Sequence, residues 1–310
     1  MSLLTIGSVA FDALETPFGK TDKIIGGAAT YITLSASYFT DENNLVAVVG
    51  DDFPSSMIED LNRHGVNTEG LEIREGEKTF FWSGKYHNDM NTRDTVEVQL
   101  NVMENFDPVI PESYQDCQYL MLGNTAPSIQ QTVIGRLRNR PKLIVLDTMN
   151  LWIEIARPDL MSLIPLVDIL VVNDEEARQL TGQYALVTAA AKIREMGPQT
   201  VIIKKGEHGA LLFHQDLIQG GQIFFAPALP LAEVFDPTGA GDTFAGGFIG
   251  HLAKTDDISF ENMKRAIIYG SAMASFCVEK FGAERIMNLT QTEIQARVSE
   301  FVKLSAFGLE

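Results

Sequence analysis

The chain has 310 residues, 45% hydrophobic and 21% charged, a composition that suits a globular protein with a large core and excludes a disordered chain. Its formal net charge of −17 repels phosphate backbones and anionic lipid, so neither nucleic acid nor a membrane is an expected partner. The opening MSLLTIGSVAFDALE has no basic leader and no apolar run is long enough to span a bilayer, so the cytoplasm is the expected location. Cys117 and Cys277 make neither a disulfide framework nor a zinc pattern, and the small apolar residues around Cys277 predict a buried thiol. The histidines His64, His87, His208, His214 and His251 have no ligand spacing.

In chain order, residues 3–9 read as a first strand, and Gly26, Gly27 and Ala28 open a helix running to about residue 39. Residues 45–49 form a short β-branched run, a buried strand ending at Gly50, and residues 53–64 a helix closed near Gly65. Residues 71–99 behave differently. Polar and apolar residues alternate loosely through Thr79-Phe80-Phe81-Trp82 and Thr95-Val96-Glu97-Val98, which predicts half-exposed strands outside the main sheet. From residue 118 strands and helices alternate: strand 119–122, helix 128–138, strand 143–146, strand 169–172, helix 187–196 and strand 201–203. Residues 210–213 and 222–225 read as a hairpin or two edge strands, and 242–252 and 260–278 as long helices. This rhythm predicts an α/β fold with a mostly parallel central sheet flanked by helices on both sides. No repeat or linker interrupts it, so residues 1–310 read as one domain carrying an inserted set of strands.

Asp147, Asn173 and Lys204 each follow a strand end, the edge at which open α/β sheets bind ligands. The strongest local feature lies beyond them, in Asp236-Pro237-Thr238-Gly239-Ala240-Gly241-Asp242-Thr243-Phe244. A glycine-rich turn feeding a helix exposes unpaired N–H groups and favours an anion. Asp242 stands where the helix starts. A carboxylate there either caps the helix or accepts a proton from a hydroxyl that attacks phosphorus. No Gly-Lys-Ser/Thr follows, so this is not a P-loop, and Gly26-Gly27 is too short for a dinucleotide fingerprint.

The segment DPTGAGDTFAGGF resembles the C-terminal signature of the ribokinase-like, or PfkB, carbohydrate kinase family, and the order and spacing of the remaining features agree along the chain. The resemblance implies a ribokinase-like kinase that uses ATP and Mg²⁺, with a small β-sheet lid built from strands at about 10–20 and 71–100. It implies that Asp242 is the base and that the backbone N–H groups of Gly239, Ala240 and Gly241 form the anion hole. Asp236 and Thr238 resemble a monovalent-cation loop, open to K⁺. Asn173 and Glu176 match an Asn-x-x-Glu that organises Mg²⁺ through water. Lys204 and Gly206 fall in the slot that contacts nucleotide phosphates, and Ser271 and Gly282 match positions near the nucleotide.

On the acceptor side the resemblance implies that Asp12 binds sugar hydroxyls and that Gly26 and Gly27 let the backbone approach the sugar. Two departures follow. Ala28 stands where many members have a polar or basic residue, and Tyr31 where they have asparagine. Asp147 is kept, but the arginine that usually follows its motif is not evident. Lys85 and Arg93 lie in the expected lid, where either could reach an anionic group of the substrate, and a surface position is the preferred reading for each. Three function classes stay open: a kinase for a hydroxyl of a sugar or sugar-like molecule, a nucleoside kinase of the same fold using Phe11, Phe81, Trp82 or Tyr31 to stack a base, and a non-catalytic binding protein. A homodimer through the lid is a further expectation.

Overall fold

The computed structural model describes residues 1–215 and 221–306. The chain starts with β1 (Leu3–Ile6), then leaves the main sheet for β2 (Ala10–Thr16), β3 (Gly19–Lys20) and β4 (Ile24–Gly26). It returns through α1 (Ala28–Ala36), β5 (Asn43–Gly50), α2 (Ser55–Arg63) and β6 (Val66–Arg74), and leaves again for β7 (Phe80–Tyr86) and β8 (Arg93–Gln99). Next come β9 (Tyr119–Leu122), α3 (Pro127–Arg136), β10 (Leu143–Asp147), α4 (Asn150–Ile155), α5 (Arg157–Leu163), β11 (Ile169–Asn173), α6 (Asp174–Thr181), α7 (Leu186–Glu195) and β12 (Thr200–Lys204). The last elements are β13 (Ala210–His214), β14 (Gln222–Ala226), α8 (Ala240–Thr255), α9 (Phe260–Cys277) and α10 (Gln291–Ser305).

The main sheet has nine strands in the order β14-β13-β12-β11-β10-β9-β1-β5-β6. Every pair from β12 to β6 is parallel, and β13 and β14 finish one edge antiparallel. The central strands LLTI, YLML and LIVLD are buried at every position because helices cover both faces. Leu4, Leu120, Ile144 and Leu170 face one way, onto Val133, Leu160, Leu180 and Ile193 of α3, α5, α6 and α7. Leu3, Met121, Val145 and Val171 alternate to the other face, onto Ile32, Phe248 and Ile267 of α1, α8 and α9.

The smaller sheet, here called the lid, runs β3-β2-β7-β8, with β4 on the free part of β2. Residues 71–74, expected among these outlying strands, are instead the end of β6 and pair with β5 in the main sheet. β6 is an edge strand, so its half-exposed pattern is the same one a lid strand would give.

α8 is buried along residues 243–253, and it can be because glycine lets α1 approach it closely. A Cβ on Gly246 would lie 2.3 Å from the Ile32 carbonyl oxygen, and Ser35 Oγ donates across the same contact to the Thr243 carbonyl at 2.7 Å. α1 begins beside the acceptor-side residues and α8 begins at Gly239, so this packing sets the two halves of the site against each other. Gly246→Ala is expected to cost about 1–3 kcal/mol of stability, read from the urea midpoint at unchanged m-value.

Candidate active site

Parallel strand order brings the ends of β10, β11 and β12 together. Lys204 Nζ lies 3.0 Å from Asp147 Oδ1, both side chains largely withdrawn from water. Burial alone works against the Lys204 charge, but Asp147, Glu176 and Asp242 outweigh it and hold the ammonium above its ordinary pKa. Asn173 caps α6. Its side-chain oxygen accepts the Glu176 N–H at 2.7 Å, and Glu176 Oε2 accepts the Asn173 N–H at 2.7 Å. The Asn-x-x-Glu spacing is therefore a reciprocal helix cap, and it leaves Glu176 Oε1 without a protein partner among the described residues. Burial, partly offset by Lys204, pushes the Glu176 carboxyl up to about 7.

Gly239 is the N-cap of α8, with a left-handed φ of 74°, and no side chain caps the helix. Asp242 lies in the first turn, so the capping role open to it in the sequence is not one it fills. The Ala240 N–H donates to the Pro237 carbonyl at 3.2 Å, which removes it from the expected anion hole. Among the described residues the N–H groups of Gly239, Gly241 and Asp242 donate to no backbone carbonyl, and those of Gly239 and Gly241 are the free donors of the turn before Asp242. A Cβ on Gly241 would stand 3.0 Å from Lys204 Nζ, so the Lys204 ammonium lies against this turn. Burial first and the nearby Asp147 second push the Asp242 carboxyl up to about 7, against the pull of Lys204 and Arg93.

Asp236 is fully buried and accepts the Thr238 N–H at 2.8 Å and the Gly282 N–H at 2.9 Å. Its two oxygens thus tie the turn to the loop after α9. Gly282 belongs with Asp236 and with Ile24 of β4, whose Cδ1 would stand 3.0 Å from a Cβ there. Ser271 is half-buried on α9. Gly206, with φ of 54°, lies under the lid tip: a Cβ there would sit 2.6 Å from Asn91 Oδ1.

On the acceptor side, a Cβ on Gly26 would stand 1.8 Å from Asp12 Oδ2, so glycine is required for β4 to run past that carboxylate. Gly27 has φ of 90°, and a Cβ there would meet the Ser8 carbonyl oxygen at 2.5 Å. Asp12 is 4% exposed; burial, then Asp236 and Asp242, push its carboxyl up to about 8. Tyr31 does not project into open space. It is 1% exposed, and its ring lies where a Cβ on Gly239 would be, 2.5 Å away. Its hydroxyl is buried without a partner among the described residues, and burial together with Asp12 holds it neutral, well above its ordinary pKa. Tyr31 therefore supports the phosphate turn from below, which a lone aromatic at an asparagine slot did not reveal.

One site-facing residue, Tyr86, is missed in the sequence, and a second, Arg93, reads there as either reaching an anionic group or lying on the surface. Tyr86 of β7 is buried in the lid, and Thr238 Oγ1 lies 3.1 Å from its hydroxyl, joining lid to phosphate turn. Arg93 is paired across strands with Tyr86 and so shares its face, and its charge reaches both Asp242 and Glu176. The surface reading of Arg93 holds for its exposure but not for its direction.

No group of three or more His, Cys, Asp or Glu side chains among the described residues could hold a metal ion. A divalent ion here fits the pattern of Mg²⁺, which is held by one carboxylate, water and substrate phosphates. Free Glu176 Oε1 is the carboxylate oxygen that would face such an ion, and the N–H groups of the phosphate turn and the Lys204 ammonium would hold the phosphates that share it.

The fold and site define a kinase that uses a nucleotide to phosphorylate a small molecule held beneath a lid. Residues 4–290 match the model of the pfkB family carbohydrate kinases, and the chain belongs to that family, whose members are phosphotransferases with an alcohol group as acceptor. It is 32% identical over 255 residues to a cytidine kinase of Thermococcus kodakarensis, covering 80% of this chain and 87% of that one. Its fold matches the nucleoside kinase of Methanocaldococcus jannaschii with a TM-score of 0.76 at 20% identity, covering 97% and 99% of the two chains. A putative ribokinase II from E. coli, in complex with ATP and Mg²⁺, matches with a TM-score of 0.76 at 20% identity, covering 96% and 99%.

Because folding raises the Asp12 pKa from 3.8 to about 8, the folded state holds a proton that the unfolded chain releases. That contribution is complete below about pH 4 and is lost as pH rises through 8, at up to about 1.4 kcal/mol per pH unit. Asp12→Asn is expected to raise the melting temperature at pH 8 far more than at pH 4.5. Equal shifts at both pH values contradict the assignment.

Proposed function

We propose that the protein transfers the γ-phosphoryl group of ATP to a hydroxyl, a primary alcohol, of a sugar or sugar-bearing small molecule, with Asp242 as general base. The observation that carries this reading is the Asp242 carboxylate in the first turn of α8, beside the free N–H groups of Gly239 and Gly241 and in the field of Lys204. A carboxyl with a pKa of about 7 is matched to accepting a proton at neutral pH. Asp12 accepts hydrogen bonds from other hydroxyls of the acceptor and fixes which oxygen faces Asp242. The N–H groups of Gly239 and Gly241 and the Lys204 ammonium stand where negative charge grows on the transferring oxygens.

Glu176, oriented by Asn173, would hold Mg²⁺ together with phosphate oxygens and water, and the ion when bound supplies charge neutralisation of the phosphates. The lid contacts from Tyr86 to Thr238 and from Asn91 to Gly206 keep water from the reacting groups. Asp236 and Thr238 are the residues of the loop that would take K⁺. Cys117 and Cys277 are free, buried thiols, which fit a reducing cytoplasm. β8 leaves one edge of the lid open, with Val96 67% exposed, and we assign a homodimer contact to it.

A second reading, a nucleoside as the acceptor, is favoured by the likeness to the cytidine kinase. Asp242→Asn keeps the shape of the site and removes its base. It is expected to fold normally and to lower kcat with ATP by roughly 10²–10⁴ at pH 7.5, in steady-state assays of ADP release. Turnover within a factor of a few of wild type would overturn the base assignment.

A further inference from the structure

We propose that Trp82 is a stacking platform for a planar ring on the acceptor, so that the acceptor is a nucleoside and not a free sugar. The inference rests on the kinase reading for the fate of the hydroxyl, but ring binding does not depend on it. β2 and β7 run parallel, pairing Phe11 with Phe81 and Asp12 with Trp82. Side chains of directly paired residues share one face of a sheet. Phe11 and Phe81 face the core: the Phe11 ring lies 5.5 Å from that of Phe53, and Phe81 packs against the same cluster. Neither is free to meet a ligand, and Tyr31 is buried beneath the phosphate turn. Asp12 and Trp82 therefore face the other way, with Tyr86 and its partner Thr238.

Trp82 is half-buried and belongs to none of the three hydrophobic clusters of the main body. Its indole lies over the next site-facing position of its own strand. A Cβ on Gly84 would stand 2.1 Å from Trp82 Cη2, so the ring rests where any other residue's side chain would begin. Indole Nε1 is 3.4 Å from Thr95 Oγ1, and the Arg93 guanidinium is 5.9 Å from the ring centroid. A flat ring is thus held on the strand next to that of Asp12, on the same face of the lid. A free pentose engages Asp12 and has nothing to lay on Trp82, whereas a nucleoside has both parts. Arg93, whose guanidinium lies over the ring, supplies donors for a ring carbonyl or ring nitrogen of the bound base.

The test compares cytidine and adenosine with ribose, by calorimetric binding and by ATP-dependent turnover, in wild type, Trp82→Ala, Trp82→Leu and Trp82→Phe. Both nucleosides should bind more tightly than ribose to the wild-type protein. Trp82→Ala and Trp82→Leu should raise nucleoside Kd and KM roughly 5- to 150-fold, the range of base–aromatic stacking, with kcat little changed. Trp82→Phe should restore most of the loss, and ribose binding should not move in any variant. Trp82→Leu keeps apolar bulk without a plane, so equal melting temperatures for it and wild type separate stacking from folding. The proposal is overturned if Trp82→Leu binds nucleosides as wild type does, or if ribose binds as well as they do. Calorimetry repeated in the Asp242→Asn background reads the platform without chemistry, so a failed base assignment leaves this result standing.

Discussion

The site depends on one electrostatic constraint: Asp12, Asp236, Asp242 and Glu176 are all withdrawn from water around a single cleft, with Lys204 the buried cation among them. Burial raises all four carboxyl pKa values, and repulsion adds to it at three of them, from Asp236 and Asp242 at Asp12 and from Asp147 at Asp242 and Glu176, a cost to stability that the folded chain meets elsewhere in its large two-faced core. The same constraint suits phosphoryl transfer. Carboxyls poised near neutrality take and release protons easily, and fixed N–H groups beside them supply the positive ends of dipoles where an anion must sit. Asp236 spends its charge on two backbone N–H groups, while Asp242 lies buried in the first turn of α8 in the field of Lys204.

The fold places these groups by simple means. Parallel order brings strand ends to one edge, close packing of α1 on α8 brings the acceptor side to the phosphate turn, and the lid crosses over both. The lid's polar contacts reach both sides of the cleft: Thr16 Oγ1 donates to the Phe235 carbonyl and Thr238 Oγ1 to the Tyr86 hydroxyl on the phosphate side, while Thr30 of α1 donates to the Gly26 carbonyl and Lys23 pairs with Asp52 elsewhere on the body. The lid thus carries Asp12 and Trp82 on a surface that is itself registered against the phosphate turn. Positioning of the acceptor and closure of the cleft are one geometric event.

The alternation of buried strands and helices was legible in the sequence because period-two and period-3.6 patterns are local. Strand Tyr119–Leu122 is read to the residue, and Ala210–His214 with Gln222–Ala226 is the expected antiparallel edge pair. Short helices α4 and α5 and the terminal α10 were not read, since their patterns are brief or weakly amphipathic. α6 was hidden by its own signal: Asn173 and Glu176 read as ligands, while the same spacing is a capping box. The direction of Arg93 could not be read at all. A register shift between Ser83 and Gly84 decides which residues of β8 share the face of Tyr86, and pairing register is not a local property. The burial of Tyr31 is likewise tertiary, fixed by the approach of Gly239.

The central claim is that Asp242 accepts the proton from the attacking hydroxyl. The pH dependence of kcat/KM, measured in the wild-type protein at saturating ATP from pH 5 to 9, tests it most directly. The account predicts a rate that rises with pH through an apparent pKa near 7 and then levels, because the base must be ionised to act. A flat profile across that range would contradict it.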